Sequence, residues 1–317
     1  MFDRLFFKQP VVLVALAVAA GMALVALRYL DQTIALAGLW FFMGLTLTTG
    51  FFHGALDIVL IQREFATAHR LAIVIALYAG SAVLLAFICA HNGWLLILVL
   101  LAMSVWHFGE PYGRWAHGYR DLLALAQRAI AGGAPVMLPA LLSGHVLQDI
   151  LPLAVGSDAG WSFALWRILA WLWVGVCGAS LTIFRQRLFS KPLFAEVALI
   201  FAINLLLSPL MAFSIYFGVF HATAHILRVA AKYRQKEASE KQKGYFRGLD
   251  LSTGLAVALT SLATLLLLLL LIWYLNSAPA SAGAQHSLLN WVLVALTAVT
   301  FPHLVLVSRN ARWLTAP

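Results

Sequence analysis

The chain alternates between long apolar segments and short polar ones along its whole length. One helix that crosses a bilayer needs about 20 apolar residues. Because proline interrupts a helical ladder, we divide the apolar stretch that begins at 193 between Ser208 and Pro209. The pattern predicts crossing helices near residues 10–28, 33–61, 71–90, 94–109, 122–142, 161–184, 193–208, 210–230, 250–275 and 288–308. It also predicts a short interfacial helix over 146–154.

The composition agrees with a chain that is mostly buried in lipid. Of the 317 residues, 63% are hydrophobic and 10% are charged, and the mean hydropathy is +0.91. A soluble domain usually carries about 25% charged residues. We therefore predict a single all-α, polytopic integral membrane domain over residues 1–317. Its fold would be a bundle of about 8–10 transmembrane helices around a buried histidine site.

The net charge of +9 reflects membrane topology rather than nucleic-acid binding. All but three of the 21 Lys and Arg residues fall in segments on one side of the predicted helices. Positive charge accumulates on the cytoplasmic side. We therefore predict a multi-pass protein of the cell inner membrane with both termini in the cytoplasm. A basic cytoplasmic loop is expected at about 231–249, and the apolar segment 10–28 is expected to be a retained first helix.

Histidine is the chemically informative residue of this chain. An ionisable side chain within an apolar span is costly and indicates a functional site. Histidine is also the commonest metal ligand. Five histidines lie in or at the ends of apolar segments: His53, His107, His221, His225 and His303. The other five lie in loops or at span ends and are expected to be solvated: His69, His91, His117, His145 and His286.

His221 and His225 form the strongest local signal. Residues four apart share one face of an α-helix and lie about 6 Å apart along its axis. Both imidazoles can therefore reach one metal ion. The alternative is a pair of histidines that hydrogen-bond within a packed interior.

Three polar residues lie close to these histidines in sequence or within the same apolar segments. Asp57 follows His53 by four residues, so it is either a ligand or an acceptor for the ring N–H of a ligated histidine. Glu110 follows His107 by three residues, and it either orients that ring or faces cytoplasmic water. His303 follows a proline, so it is a fifth ligand, a supporting donor or a core residue.

These residue types leave the metal and the chemistry open. Four neutral histidines suit Fe, Cu or Zn, and a set of two histidines with Asp57 is the competing arrangement. A haem protein with two histidine ligands and a metal or proton transporter are alternative classes. Membrane di-iron oxygenases usually carry more histidines in HxxxH and HxxHH repeats, and this chain has one HxxxH motif.

Four motifs together resemble the Brp/Blh family of membrane β-carotene 15,15′-dioxygenases. They are HGALD at 53–57, SVWHFGE at 104–110, YFGVFHATAH at 216–225 and TFPHLVL at 300–306. They occur in the order found in that family and span most of the chain. The resemblance implies a multi-helix membrane enzyme that holds a non-haem Fe(2+) ion.

The resemblance also implies the reaction and the roles of individual residues. O2 would cleave the central 15,15′ double bond of β-carotene to give two molecules of retinal. The iron ligands would be His53, His107, His221 and His225. Asp57, Glu110 and His303 would contact the ligating histidines without binding the iron, or would lie beside the substrate.

Aromatic residues near these motifs are candidates for lining the path of an apolar substrate. They are Phe52, Trp106, Phe108, Tyr216, Phe217 and Phe220. The expected partners are β-carotene or a related carotenoid, O2 and membrane lipid. A hand-off of retinal to a microbial rhodopsin is a further expectation, and no nucleic acid is expected.

Overall fold

The computed structural model shows an all-helical chain. It describes residues 44, 54, 57, 61, 68–112, 122–184, 188, 191–225 and 288–315. These residues form helices and turns with no strand among them, which confirms the predicted fold class. The predicted spans at 10–28 and 250–275 and the loop at 231–249 lie outside the described residues, as does most of 33–61.

The described helices follow the predicted apolar segments closely. They are α1 (Ala68–Ala90), α2 (Gly93–Phe108), α3 (Leu122–Leu142), α4 (Gly144–Val155), α5 (Ala159–Phe184), α6 (Lys191–Leu206), α7 (Pro209–Ser214) and α8 (Leu288–Thr315). A 3-10 turn at Gly156–Asp158 joins α4 to α5, and a π-helix at Ile215–Ala222 continues α7.

Four helical segments in the described part are long and apolar enough to cross a membrane. They are His69–Ala90, Leu122–Leu142, the continuous run Gly144–Phe184 and Leu289–Ser308. Two shorter apolar helices cover Gly93–Phe108 and Leu193–Leu206. Large apolar side chains project from the outer faces of α1, α5 and α6, as expected for helices that contact lipid: Leu77, Phe87, Trp161, Ile168, Leu172, Phe194 and Leu205.

Helix α3 occupies the centre of the described bundle, where it packs against α2, α5 and α6. Glycines allow this close approach. A Cβ atom at Gly132 would overlap the backbone carbonyl of Val105 in α2, and one at Gly133 would overlap the indole of Trp173 in α5. Small residues at helix interfaces of membrane proteins permit such backbone contacts. On the other side, α8 packs against α1 and α2.

The predicted break at Ser208 is confirmed. Helix α6 ends at Leu206, and Ser208 adopts an extended conformation with φ −62° and ψ 154°. Pro209 then starts α7, where its missing N–H costs nothing because the first helical N–H groups have no intrahelical acceptor. The π-helix that follows was not predicted. Such segments are rare and occur often at functional sites.

The contact between α2 and α3 predicts a sensitivity that depends on position. Gly132→Ala should lower the melting temperature of the purified protein, because overpacking a tight core costs about 1–3 kcal/mol. Gly178→Ala is the matched control, since a Cβ at this exposed position of α5 meets no atom within 4 Å. Equal melting temperatures for the two variants in detergent would contradict the close packing of α2 on α3.

Candidate metal centre

Four of the five histidines in apolar segments are buried together at the inside of the bundle. They come from three segments: His107 from the last turn of α2, His221 and His225 from the π-helix and the turn after it, and His303 from α8. Each is no more than 6% exposed. By contrast His69, His91 and His145, which were expected to be solvated, are exposed. His53 lies outside the described residues.

His107 and His221 face each other through their Nε2 atoms. The two nitrogens are 2.9 Å apart, and the ring centroids are separated by 4.6 Å at an angle of 68°. One proton shared between them would give a hydrogen bond of this length. Two nitrogens bound at about 2.1 Å and 90° to one metal ion would also be about 3 Å apart. The geometry therefore fits a pair of adjacent metal ligands.

The remaining rings extend this pair into a cluster. The centroid of His303 lies 5.0 Å from that of His107 and 5.5 Å from that of His225. Within the described part of the chain, no group of three or more His, Cys, Asp or Glu side chains is arranged to hold a metal ion. The described residues thus supply one close pair of facing nitrogens, from His107 and His221. The imidazoles of His225 and His303 lie beside this pair. Imidazole donors of this kind suit Fe, Cu or Zn.

The i, i+4 pair contributes its two histidines to different neighbours. His221 contacts His107, whereas His225 lies against His303. The π-helix ends within this pair, at Ala222. The i, i+4 spacing predicts only that the two residues share a helix face, and contacts to α2 and α8 determine which ring each one meets.

Asp57 contacts His303, which belongs to the motif at 300–306. His303 Nδ1 lies 2.8 Å from both Oδ1 and Oδ2 of Asp57. The Tyr78 hydroxyl in α1 donates to Asp57 Oδ2 at 2.8 Å. Asp57 and His303 are both buried, and Tyr78 is half-buried. Sequence spacing related Asp57 to His53, and it gave no indication of Tyr78.

Two glutamates near the cluster behave differently. The Glu110 backbone N–H donates to the His107 carbonyl at 3.2 Å, while its carboxylate forms no hydrogen bond or ion pair with the described residues. Glu196 in α6 accepts hydrogen bonds from Tyr216, at 3.1 Å, and from Tyr112. Sequence reasoning missed Glu196, although an acidic residue within an apolar segment is itself a signal of function.

Aromatic rings surround the His221 side of the cluster. Phe108 makes an edge contact with His221 at 4.7 Å and with Tyr216 at 5.2 Å. Phe217 stacks on His221 with 6.3 Å between centroids and 14° between planes. Phe213 in α7 stacks in turn on Phe217 at 5.8 Å and 10°. These rings and the buried Phe220 exclude water from this side, and Phe52 lies outside the described residues.

A buried cation fixes the end of α2 beside His107. Arg128 in α3 is 3% exposed. Its Nε and Nη2 donate to the Trp106 carbonyl at 3.1 and 2.9 Å, and its guanidinium lies 3.6 Å from the centre of the Trp106 ring. A guanidinium suits this position because it combines planar donors with stacking on an aromatic face. Trp106 is therefore engaged by Arg128 at both its backbone and its ring.

The family model for beta-carotene 15,15'-dioxygenase matches residues 44–309. The chain belongs to this family. The match covers all four motifs on which the resemblance was based and extends over most of the chain. No curated protein and no solved structure matches the chain.

Membership of the β-carotene dioxygenase family supports a carotenoid substrate and a dioxygenase type of activity in general terms. In this family member His107, His221, His225 and His303 bring together four side chains of a type that can ligate metals, each no more than 6% exposed. This cluster is therefore the candidate active site.

Arg128 provides a test of how the metal centre is supported. Arg128→Met should lower the melting temperature, because hydrogen bonds from a charged group contribute about 1.5–3 kcal/mol each. Arg167→Met is the control, since Arg167 is exposed on α5. Both variants would be measured in the same detergent by fluorescence melting. A larger effect of Arg167→Met would contradict the supporting role of Arg128.

Proposed function

We propose that the protein is a non-haem iron dioxygenase that cleaves the central 15,15′ double bond of β-carotene. One O2 molecule supplies both carbonyl oxygens, so each β-carotene yields two molecules of retinal. The family match supports the substrate class and the type of reaction. The observation that carries the proposal is the pair of buried imidazole nitrogens of His107 and His221, 2.9 Å apart.

The proposed iron ligands are His53, His107, His221 and His225. Among the described members of this set, His107 and His221 already have the separation of adjacent ligands. His225 is 3% exposed and shares its neighbour His303 with His107. Fe(2+) held by these neutral imidazoles would supply the redox chemistry of O2.

The protein's own contribution is positioning and exclusion of water. The buried cluster lies among apolar helices, so a polyene that dissolves in the bilayer can approach it without first entering water. Phe108, Tyr216 and Phe217 contact or approach His221, and we propose that they line the substrate path together with Trp106, Phe220 and Phe52. Holding the central double bond in place removes much of the entropic cost of the reaction.

The cellular setting follows from topology and substrate. We propose an inner-membrane location with cytoplasmic termini, as the distribution of Lys and Arg favours. Membrane lipid then holds both the substrate and the product. Retinal released into the bilayer is available to a retinal-binding protein, and a microbial rhodopsin is the proposed recipient.

The reaction is tested by expression in a bacterium that accumulates β-carotene. Retinal should form as β-carotene is lost, and His221→Ala should abolish product by removing one nitrogen of the facing pair. His145→Ala is the matched control because His145 is an exposed histidine of α4 and lies outside the cluster. Extracts would be analysed by chromatography with protein levels measured in parallel.

Each result of this experiment has a separate meaning. Wild-type activity in His221→Ala would reject the ligand assignment. Unchanged β-carotene with iron-loaded wild-type protein would reject this substrate and direct attention to other carotenoids. A Soret band in the purified protein would favour the haem alternative, and metal flux into liposomes without product would favour a transporter.

The metal is tested independently of the reaction. Purified wild-type protein should contain close to one iron per chain by elemental analysis, and His107→Ala should contain much less. His91→Ala is the control, since His91 is exposed and its Nδ1 lies against the Phe87 carbonyl at 2.8 Å. Equal iron content in all three proteins would show that the cluster is not the iron site.

A further inference from the structure

A chain of three side chains reaches the histidine cluster from the α1 side. The Tyr78 hydroxyl donates to Asp57 Oδ2, and both carboxylate oxygens of Asp57 lie 2.8 Å from His303 Nδ1. The three residues come from separate parts of the sequence, and Asp57 and His303 are 246 positions apart. Asp57 and His303 are each 3% exposed.

The Asp57 contact determines how His303 presents its ring. Because a carboxylate accepts hydrogen bonds, Nδ1 carries the proton and donates it to Asp57. Nε2 lies on the other side of the imidazole, away from the carboxylate. In a neutral ring this nitrogen holds a lone pair and is a donor to a metal ion.

The His303 ring lies beside the other imidazoles of the cluster. The ring centroid is 5.0 Å from that of His107 and 5.5 Å from that of His225, and His107 is 4.6 Å from His221. Imidazoles that bind one metal at about 90–120° to each other have centroids about 4.5–5.6 Å apart, given a metal–nitrogen distance of about 2.1 Å. All three separations fall within this range.

Charge compensation supports the same assignment. A buried carboxylate is costly unless a positive charge or several donors offset it. Among the described residues, Tyr78 contributes a neutral hydroxyl to Asp57 and a neutral His303 contributes one N–H. A metal cation on the far side of the imidazole would provide the compensating charge through the ring. Metal-ligating histidines commonly donate their second N–H to a carboxylate in this way.

We propose that His303 is an additional nitrogen donor to the metal, and that Asp57 and Tyr78 are positioning residues that hold it in the donating orientation. This inference rests on the proposed function, since it assigns a further ligand to that same metal. Asp57 fixes the protonated nitrogen, and Tyr78 restrains the carboxylate. The His303 ring cannot turn away without losing its bond to Asp57.

The test uses the full-length protein in detergent, freed of metal with a chelator and titrated with Co(2+). His303→Ala should weaken Co(2+) binding at least tenfold and change the visible ligand-field spectrum. Asp57→Asn should weaken Co(2+) binding by about 10- to 100-fold, because outer partners of ligating histidines have effects of this size. Tyr78→Phe should weaken binding by a smaller factor, because Tyr78 acts only through Asp57. Imidazole added to His303→Gly should restore the wild-type spectrum.

Ser81→Ala is the matched control for Tyr78→Phe. Ser81 lies in α1 one turn from Tyr78, and its hydroxyl donates to the Tyr78 carbonyl at 2.9 Å. The substitution therefore removes a hydrogen bond from the same helix without altering the donor to Asp57. It should leave the Co(2+) affinity and the spectrum unchanged.

The outcomes separate this inference from the proposed function. Unchanged Co(2+) affinity and spectrum in His303→Ala would overturn the inference, even if wild-type protein produces retinal. Tight Co(2+) binding that is lost in His303→Ala would support it, even if β-carotene is not the substrate. Wild-type protein that takes up no Co(2+) would overturn the inference, while retinal formation by the wild type decides the reaction separately.

Discussion

Burial constrains the polar groups at the centre of the helix bundle. An imidazole or carboxylate buried there loses its hydration, and this loss is costly unless a hydrogen-bond partner offsets it. Asp57, Tyr78 and His303 satisfy this requirement together, and Glu196 does so with two tyrosines. These contacts join segments that are far apart in the sequence.

Close backbone contact and a buried cation act on the same short stretch of α2. Gly132 lets α3 approach the Val105 carbonyl, and Arg128 holds the carbonyl and the ring of Trp106. His107 is the next residue along the chain. Its position therefore depends on residues of α3 that do not themselves contact a metal. Packing and site geometry are linked here through the backbone of a single helical turn.

The sequence predicted those features that depend on hydropathy and on the cost of burying histidine. Apolar length located α1, α3 and α5, and the proline rule located the break at Ser208. The presence of histidine in apolar segments indicated that His107 and His221 belong to a buried site, and both side chains are buried.

Long-range partners could not be predicted in the same way. Residue spacing relates only neighbours on one helix, so the pairing of Asp57 with His303 had no signal in the sequence. Tyr78 lies on a helix whose outer face is apolar, where a tyrosine resembles an ordinary interfacial residue. The π-helix was also missed, because the HATAH spacing is equally compatible with an α-helix.

The number of residues in the π-helix at Ile215–Ala222 affects the geometry of the site. A π segment accommodates one residue more than the α-helical turn it replaces. Loss of that residue would restore a regular helix and rotate all later side chains by about 100° around its axis. His225 would then face away from α8. Insertions and deletions in this segment are therefore constrained more tightly than substitutions of its apolar side chains, since a change of length turns His225 away from its neighbour His303.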